Sequence, residues 1–155
     1  MFLRDDPFEM SEDDPIPDLI PEPPPGFARS SGRGQFSTHN GPYFHKPVAE
    51  GLVSQAFYAL PRHTNGIGLV HGGMLSAFSD GLLAAAVGFG TGKVGVTIHL
   101  SIDFLHMARQ GDWVIGESRM TRATKDVAFA EGVLRARGVD VVRASGVFKL
   151  MDRRG

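Results

Sequence analysis

The chain contains no cysteine among its 155 residues. Disulfide scaffolds, thiol nucleophiles and thiolate metal sites are therefore excluded together. The N-terminus has no basic segment leading into a long apolar run, and the longest apolar stretches are short or interrupted by glycine. Neither a signal peptide nor a membrane span is predicted from such a pattern. We expect a cytoplasmic protein that does not enter a membrane.

The net charge of −1 hides a division along the chain. Residues 1–25 carry eight acidic side chains against Arg4 alone and hold seven of the ten prolines. A segment of this composition cannot bury enough apolar surface to fold by itself. We predict an acidic, proline-rich tail or extended arm over residues 1–35 and a single domain over residues 36–155.

The rest of the chain is basic, with fifteen basic and nine acidic side chains in residues 26–155. A positive potential suits a polyanionic ligand, such as a thioester that carries a nucleotide. A solvated surface balanced by the acidic tail explains the same charges equally well. The basic side chains are not interleaved with aromatic ones as a nucleic-acid surface requires, so no nucleic-acid partner is expected.

The pattern of apolar residues predicts one helix between strands. Residues 51–60 are typical of a strand, and residues 72–88 carry apolar side chains on nearly every helical face, which indicates a buried helix. Glycines at positions 88, 90 and 92 are expected to end it. Further strands are predicted at about residues 94–105, 113–122, 126–137 and 139–151.

In the strand at 126–137, one face consists of small residues that let a sheet approach a helix closely: Ala128, Ala130, Gly132, Leu134 and Ala136. The order of strand, helix and successive strands predicts an α+β protein in which one antiparallel sheet curls around one long central helix.

The helix start carries the most informative residues. Gly72 and Gly73 open the helix and expose backbone N–H groups that can hold a developing negative charge. Asp80 is the only charged residue between Gly72 and Gly92, and a lone carboxylate can activate water. This pairing predicts a hydrolase that acts on an activated carbonyl group.

The residues in and after this segment resemble the hotdog-fold acyl-CoA thioesterases of the phenylacetate-degradation type. The resemblance covers about residues 45–151 and rests on Asn65-x-x-Gly68-x-x-His71-Gly72-Gly73, on Asp80 nine residues after His71, and on Gly95-Val96-Thr97. It implies a hotdog fold, hydrolysis of an acyl-CoA to free acid and coenzyme A, and no cofactor beyond the coenzyme A of the substrate.

The resemblance also implies roles for individual residues. The Gly72 N–H would polarise the thioester carbonyl, and Asp80 would act as general base or as nucleophile, two roles that the sequence does not separate. Asn65 would lie near the thioester or the attacking water, and the Thr97 hydroxyl would orient the carboxylate. The remaining candidates for substrate binding are His63, Gly68, His71 and Gly73, with His71 expected to shape the helix start rather than act as a base.

Helix length leads to a prediction about assembly. Asp80 lies eight residues beyond Gly72, or roughly 12 Å at about 1.5 Å per residue, so one thioester carbon cannot contact both. Two chains with antiparallel helices would bring Gly72 of one to Asp80 of the other. We therefore predict an obligate homodimer with shared sites, as the resemblance also implies. Outward Val127, Phe129 and Val133 further suggest that two dimers form a tetramer, although the acidic tail could cover that face instead.

Other interpretations remain open at this stage. Asp80 could be a half-exposed helix residue, Asn65 an ordinary turn residue and Thr97 a strand residue chosen for its propensity. The chain could also be an acyl-CoA binder without activity, or a hydratase or dehydratase, although the His-Phe-Pro element of acyl-carrier-protein dehydratases is absent. None of the six histidines forms a helical ligand pair, so no metal site is expected. An acyl pocket or the core could account for Phe57, Tyr58, Phe78, Leu82, Phe89 and Phe104.

Overall fold

The fold is a single antiparallel sheet of seven strands curled around one long helix. A computed structural model of the chain describes residues 20–31 and 34–154. In chain order the elements are β1 (Ala28–Arg29), α1 (Gly34–Asn40), β2 (Tyr43–Ala49), β3 (Leu52–Tyr58), a 3₁₀ turn (Pro61–His63), α2 (Gly72–Thr91), β4 (Val94–Phe104), β5 (Trp113–Ala123), β6 (Val127–Ala136) and β7 (Val139–Met151).

The strand order places β4 at one end of the sheet. The order is β1-β2-β3-β5-β6-β7-β4, and every neighbouring pair is antiparallel. Strands β3 to β7 all contact α2, so the helix lies in the concave face of the sheet. The predicted α+β arrangement of one antiparallel sheet around a central helix is confirmed.

Small residues allow the sheet to close on the helix. Ala128, Ala130 and Ala136 on the predicted small-residue face of β6 are buried in the core beneath α2. A Cβ on Gly116 would lie 2.6 Å from Leu82 Cδ2, and one on Gly146 would lie 3.2 Å from Leu83 Cδ1. The strands therefore carry glycine where the helix leucines approach most closely.

The helix is longer than the sequence suggests, and the prediction that glycines 88, 90 and 92 all end it is wrong for the first two. Gly88 and Gly90 lie within α2, and the helix ends at Gly92, whose φ of 71° closes it through a 2.9 Å hydrogen bond to Gly88 O. A Cβ on Gly90 would lie 2.8 Å from Met120 Sδ. Packing against the sheet, rather than termination, therefore explains this glycine.

By length and composition α2 is long and apolar enough to cross a membrane, so the glycines do not by themselves exclude a span. Eight of its residues are buried, and all of them except Ser79 join the hydrophobic core between helix and sheet. Because a core helix meets the same criteria of length and composition, these contacts account for the apolar character of α2.

The strands before residue 51 were missed from the sequence. Strand β2 contains Lys46 and Pro47, which interrupt the alternation that identifies a strand, and β1 has only two residues. Because Ala28 pairs with His45 and Arg29 with Phe44, the chain joins the sheet before the domain boundary predicted at residue 36. The part of the predicted tail that spans residues 1–19 lies outside the described residues.

Candidate active site

The loop before α2 is shaped by Asn65. Its side-chain Oδ1 accepts hydrogen bonds from Ile67 N and Leu69 N, both at 3.1 Å, and its backbone N–H donates to Leu69 O at 2.8 Å. These bonds define a tight turn in which Gly68 adopts a φ of 77°. Within the described part of the chain, Asn65 Nδ2 has no partner, so its two N–H donors remain available at an exposed position.

His71 caps the helix. Its Nδ1 accepts a 2.7 Å hydrogen bond from Gly73 N, and its backbone N–H donates to His63 O at 2.8 Å. Because Nδ1 accepts, Nε2 carries the proton and is a donor on an exposed side chain. A Cβ on Gly73 would lie 2.9 Å from His71 Nδ1, so glycine is required for this cap. The Gly73 N–H is thus already used in the hydrogen bond to His71.

Gly72 carries the first backbone N–H of the helix. No hydrogen-bond acceptor among residues 20–31 and 34–154 is assigned to Gly72 N–H, which lies at the first position of the 20-residue helix. The positive end of the helix dipole adds to the pull of this group on a carbonyl oxygen. Phe104, at the end of β4, contacts this glycine, since a Cβ there would lie 3.3 Å from Phe104 Cζ.

Two turns along the helix, Asp80 is held by β4. Thr97 Oγ1 donates a 2.5 Å hydrogen bond to Asp80 Oδ1. The carboxylate is half-buried and Thr97 is exposed, at the end of the sheet where β4 pairs with β7 and with no other strand of the described residues. The carboxylate therefore keeps its other oxygen for a ligand.

A β-bulge explains how one strand reaches both Asp80 and Gly72. The pairing of β4 with β7 shifts between Thr97 and His99, so Ile98 is inserted into the alternation. Before the bulge Gly95 and Thr97 face the helix, and after it Leu100, Ile102 and Phe104 do. In a regular strand without a bulge, Thr97 and Phe104 are seven positions apart and would lie on opposite faces of the sheet.

Within one chain the candidate residues form two groups. Asn65, Gly68, His71, Gly72 and Gly73 lie together at the helix start, whereas Asp80 and Thr97 lie about 12 Å further along, as the helical rise requires. The two groups therefore cannot act on one carbonyl carbon within a single chain.

His63 is buried inside the turn that precedes the helix. Its side chain is 4% exposed; Nδ1 accepts from Leu60 N at 3.1 Å, and Nε2 donates to Asn40 O at 2.7 Å. Burial is the largest of the effects that lower the pKa of His63, from 6.5 to about 4, so the ring is neutral at pH 7. These contacts fix His63, whose backbone carbonyl in turn accepts from His71 at the helix start. The role of His63 in substrate binding stays a prediction.

Residues 20–31 and 34–154 contain no group of three or more histidine, aspartate or glutamate side chains placed to hold a metal ion. The donors and the carboxylate described above are thus the chemical groups that the described part of the site offers. The inserted Ile98 and the contact of Phe104 with Gly72 were not predicted, because a bulge changes pairing without a residue type that identifies it.

Comparison with known proteins identifies the family. The model of the thioesterase superfamily matches residues 67–142. A Pseudomonas aeruginosa protein whose name calls it an esterase is 35% identical to this chain over 112 residues, which are 71% of this chain and 84% of that protein.

Solved structures share the fold. A phenylacetic acid degradation-related protein of Ralstonia eutropha has a TM-score of 0.69 and 24% identity, over 76% of this chain and 92% of its own. A hypothetical thioesterase of Streptococcus pneumoniae, solved with coenzyme A, has a TM-score of 0.67 and 20% identity, over 73% of this chain and 88% of its own.

The sheet around a central helix and the glycine-opened helix start define a hotdog-fold protein of the thioesterase type. The chain belongs to the thioesterase superfamily. Membership classes it as a thioester hydrolase and confirms the resemblance to the hotdog-fold thioesterases.

Proposed function

We propose that the protein hydrolyses an acyl-CoA thioester to a free acid and coenzyme A in a site built by two chains. The observation that carries the proposal is the Asp80 carboxylate held by Thr97 at the exposed end of the sheet. A carboxylate fixed by one hydrogen bond, with its second oxygen open, suits a group that activates water or attacks a carbonyl carbon.

The Gly72 N–H supplies the second requirement. The thioester oxygen accepts this hydrogen bond, and the bond strengthens as negative charge develops on the oxygen during attack. With Asp80 as general base, water adds to the carbonyl carbon while its proton passes to the carboxylate. The C–S bond then breaks, and the leaving coenzyme A thiolate takes the proton that Asp80 accepted. With Asp80 as nucleophile, its attack breaks the C–S bond, expels the coenzyme A thiolate and forms a mixed anhydride; water then cleaves the anhydride to the free acid and the Asp80 carboxylate, and its proton neutralises the thiolate.

Coenzyme A is proposed as the thiol on two grounds. The Streptococcus pneumoniae protein of the same fold was solved with coenzyme A. The described residues after Gly26 are basic overall, which favours encounter with the phosphates of coenzyme A. Hydrolysis itself then requires no resident cofactor, since the carboxylate and the backbone donor supply the chemistry.

A second copy of the chain completes the site in this proposal. Strand β4 has 11 residues and, within the described residues, no neighbour on its outer edge. Val94, Val96 and Ile98 on this strand are 46, 49 and 59% exposed. A long apolar edge is a template for pairing with another chain. Antiparallel pairing of two β4 strands about a two-fold axis would place Gly72 of one chain near Asp80 of the other.

The outer face of the sheet is the surface proposed for a tetramer of two dimers. Phe129 is 38% exposed and Met151 is 50% exposed there, close to the apolar side chains of β4. Burial of these side chains against a second dimer would remove apolar surface from water. Light scattering on the purified protein decides between a dimer and a tetramer.

The activity test is a panel of acyl-CoAs with a dye that detects free thiol. We expect thiol release by the wild-type protein and a loss of about 10²–10³-fold in kcat for Asp80→Asn. Asp126→Asn, whose carboxylate is 67% exposed in the β5–β6 turn, is the matched control and should retain activity. Absence of thiol release from every acyl-CoA, or full activity of Asp80→Asn, would overturn the proposal.

The backbone donor can be removed without altering other side chains. Proline is accepted at the first position of a helix, and His71 already has the extended conformation that proline requires before it, with φ −62° and ψ 137°. Gly72→Pro therefore deletes the N–H, whereas Gly72→Ala keeps it and adds the same Cβ beside Phe104. We expect Gly72→Pro to lose about 10²-fold more kcat than Gly72→Ala.

A further inference from the structure

An apolar surface adjoins the proposed oxyanion donor. Phe104 ends β4 with its ring edge against Gly72, and its side chain is nevertheless 55% exposed. Leu105 and Met107 follow at 49 and 48% exposed. Together with His106 these residues line a concavity of about 440 Å³. A contiguous apolar surface beside a polar donor is typical of a ligand site.

The backbone of this segment is fixed although its side chains are open. Leu105 N donates to Val141 O at 2.9 Å, and Met107 N donates to His106 Nδ1 at 2.7 Å. The next residue, Ala108, accepts from Val70 N at 2.8 Å, which ties the segment to the loop before α2. The surface is therefore held in place relative to Gly72 before a ligand binds.

A second concavity, of about 290 Å³, lies on the other side of the helix start. Its lining is mixed: Asn40, Arg62, His63 and His71 are polar, whereas Phe36, Met74 and Ala77 are apolar. An apolar group placed there would desolvate the exposed guanidinium of Arg62 and the exposed imidazole of His71 without replacing their hydrogen bonds to water. The surface formed by Phe104 to Met107 carries one imidazole, that of His106, and no guanidinium, so this cost is smaller there and the surface is the better match for hydrocarbon.

We propose that residues Phe104–Met107 bind the acyl group and determine which acyl thioesters are hydrolysed. The inference rests on the proposed function, because it places the thioester oxygen on Gly72 N–H. A hydrogen bond of about 2.9 Å there brings the carbon chain attached to the carbonyl within contact distance of the Phe104 ring. The surface favours apolar acyl groups of about six carbons or more over acetyl, since each buried methylene adds to binding.

The two side chains contribute differently. The Phe104 ring is held in position by its contact with Gly72 and by the Ile98 bulge. It therefore contacts the part of the acyl chain next to the carbonyl. Met107 is flexible and polarizable, so it adapts to the distal part of the chain. Phe104 is therefore expected to have the larger effect on selectivity.

The test compares kcat/KM for acetyl-CoA and hexanoyl-CoA in Phe104→Ala, Met107→Ala and the wild-type protein. We expect Phe104→Ala to lower the hexanoyl-to-acetyl ratio about tenfold, mainly through the KM for hexanoyl-CoA, with acetyl-CoA changed by about twofold or less. Val139→Ala, an apolar side chain 44% exposed at the β6–β7 turn, is the control and should leave the ratio unchanged. Phe36→Ala tests the second concavity.

An equal loss on both substrates, or a ratio that changes in Phe36→Ala but not in Phe104→Ala, would overturn the inference. Met107→Ala supplies the same comparison if Phe104→Ala does not fold. Should the wild-type protein hydrolyse no acyl-CoA, the proposed function fails, and calorimetry still tests the surface. In that case hexanoyl-CoA should bind more tightly than coenzyme A to the wild-type protein, and Phe104→Ala should remove the difference.

Discussion

Thr97 Oγ1 donates a 2.5 Å hydrogen bond to Asp80 Oδ1, and this bond joins the strand at the end of the sheet to the central helix. It fixes the one carboxylate that α2 carries. Because the Ile98 bulge follows directly, the same strand contacts the helix again at Gly72 through Phe104. Strand β4 therefore positions both groups of the proposed site.

Replacement of Thr97 tests whether this bond orients the carboxylate. Thr97→Val keeps the shape of the side chain and removes the donor, whereas Thr97→Ser keeps the donor. A hydrogen bond to a charged group contributes about 1.5–3 kcal/mol, so Thr97→Val should lower kcat about 10–100-fold and Thr97→Ser much less. Steady-state kinetics and melting curves on both variants check this. Equal activity of the two variants would show that the hydroxyl is dispensable.

Asn65 stabilises the loop turn through Oδ1 and has available donors on Nδ2, and two substitutions separate these two contributions. Asn65→Asp keeps an oxygen for Ile67 N and Leu69 N but replaces the amide donors, so the free energy of unfolding should change by about 0.5 kcal/mol or less. Asn65→Ala loses both and should cost about 1 kcal/mol. If Nδ2 binds substrate or water, kcat/KM falls about tenfold or more in both variants. Full activity of Asn65→Asp would assign the residue to the turn alone.

His71 can be tested in the same way. Asparagine is a strong N-cap residue, so His71→Asn should keep the stability of the helix start, whereas His71→Ala should lose about 1 kcal/mol. Chemical denaturation measures both values. If the Nε2 donor contributes to substrate binding, KM rises in both variants. A rise confined to the less stable His71→Ala would show that capping is the whole contribution.

His63 makes stability depend on pH. Its folded-state pKa of about 4 lies below the value of 6.5 expected for the unfolded chain, so the unfolded chain binds the proton first. The contribution of neutral His63 is fully present above pH 6.5 and is lost as the pH falls towards 4, by about 3 kcal/mol at most. His63→Gln should flatten urea-derived stability over this interval. An unchanged slope in that variant would assign the pH dependence to other groups.

Much of this architecture follows from local sequence. The positions of β3, α2 and the four later strands are set by apolar periodicity and by turns, because each signal lies within a few residues of the element it specifies. Strand β2 could not be recognised, since Lys46 and Pro47 interrupt its pattern and pairing with β3 forms it. The end of α2 was placed too early because packing against Met120 uses a glycine inside the helix.

The candidate site shows the same limit. Asp80 and the Gly72–Gly73 pair are conspicuous from their residue types alone, and the sequence places them on one helix. The contacts that give them their geometry join distant segments: Thr97 lies 17 residues after Asp80, and Phe104 contacts Gly72 from the far end of β4. The Ile98 bulge puts Thr97 and Phe104 on the same face of β4. No residue type marks a bulge in the sequence, so it is visible only in the folded strand.

The most direct test of a site shared by two chains combines a chain that lacks the carboxylate with a chain that lacks the backbone donor. Asp80→Asn and Gly72→Pro chains are produced together with different affinity tags, and heterodimers are isolated by two successive purifications. Each parent homodimer should be inactive. Each heterodimer should contain one site with both groups intact and recover about half of the wild-type thiol release per dimer. Verified heterodimers that remain as inactive as their parents would contradict the shared site.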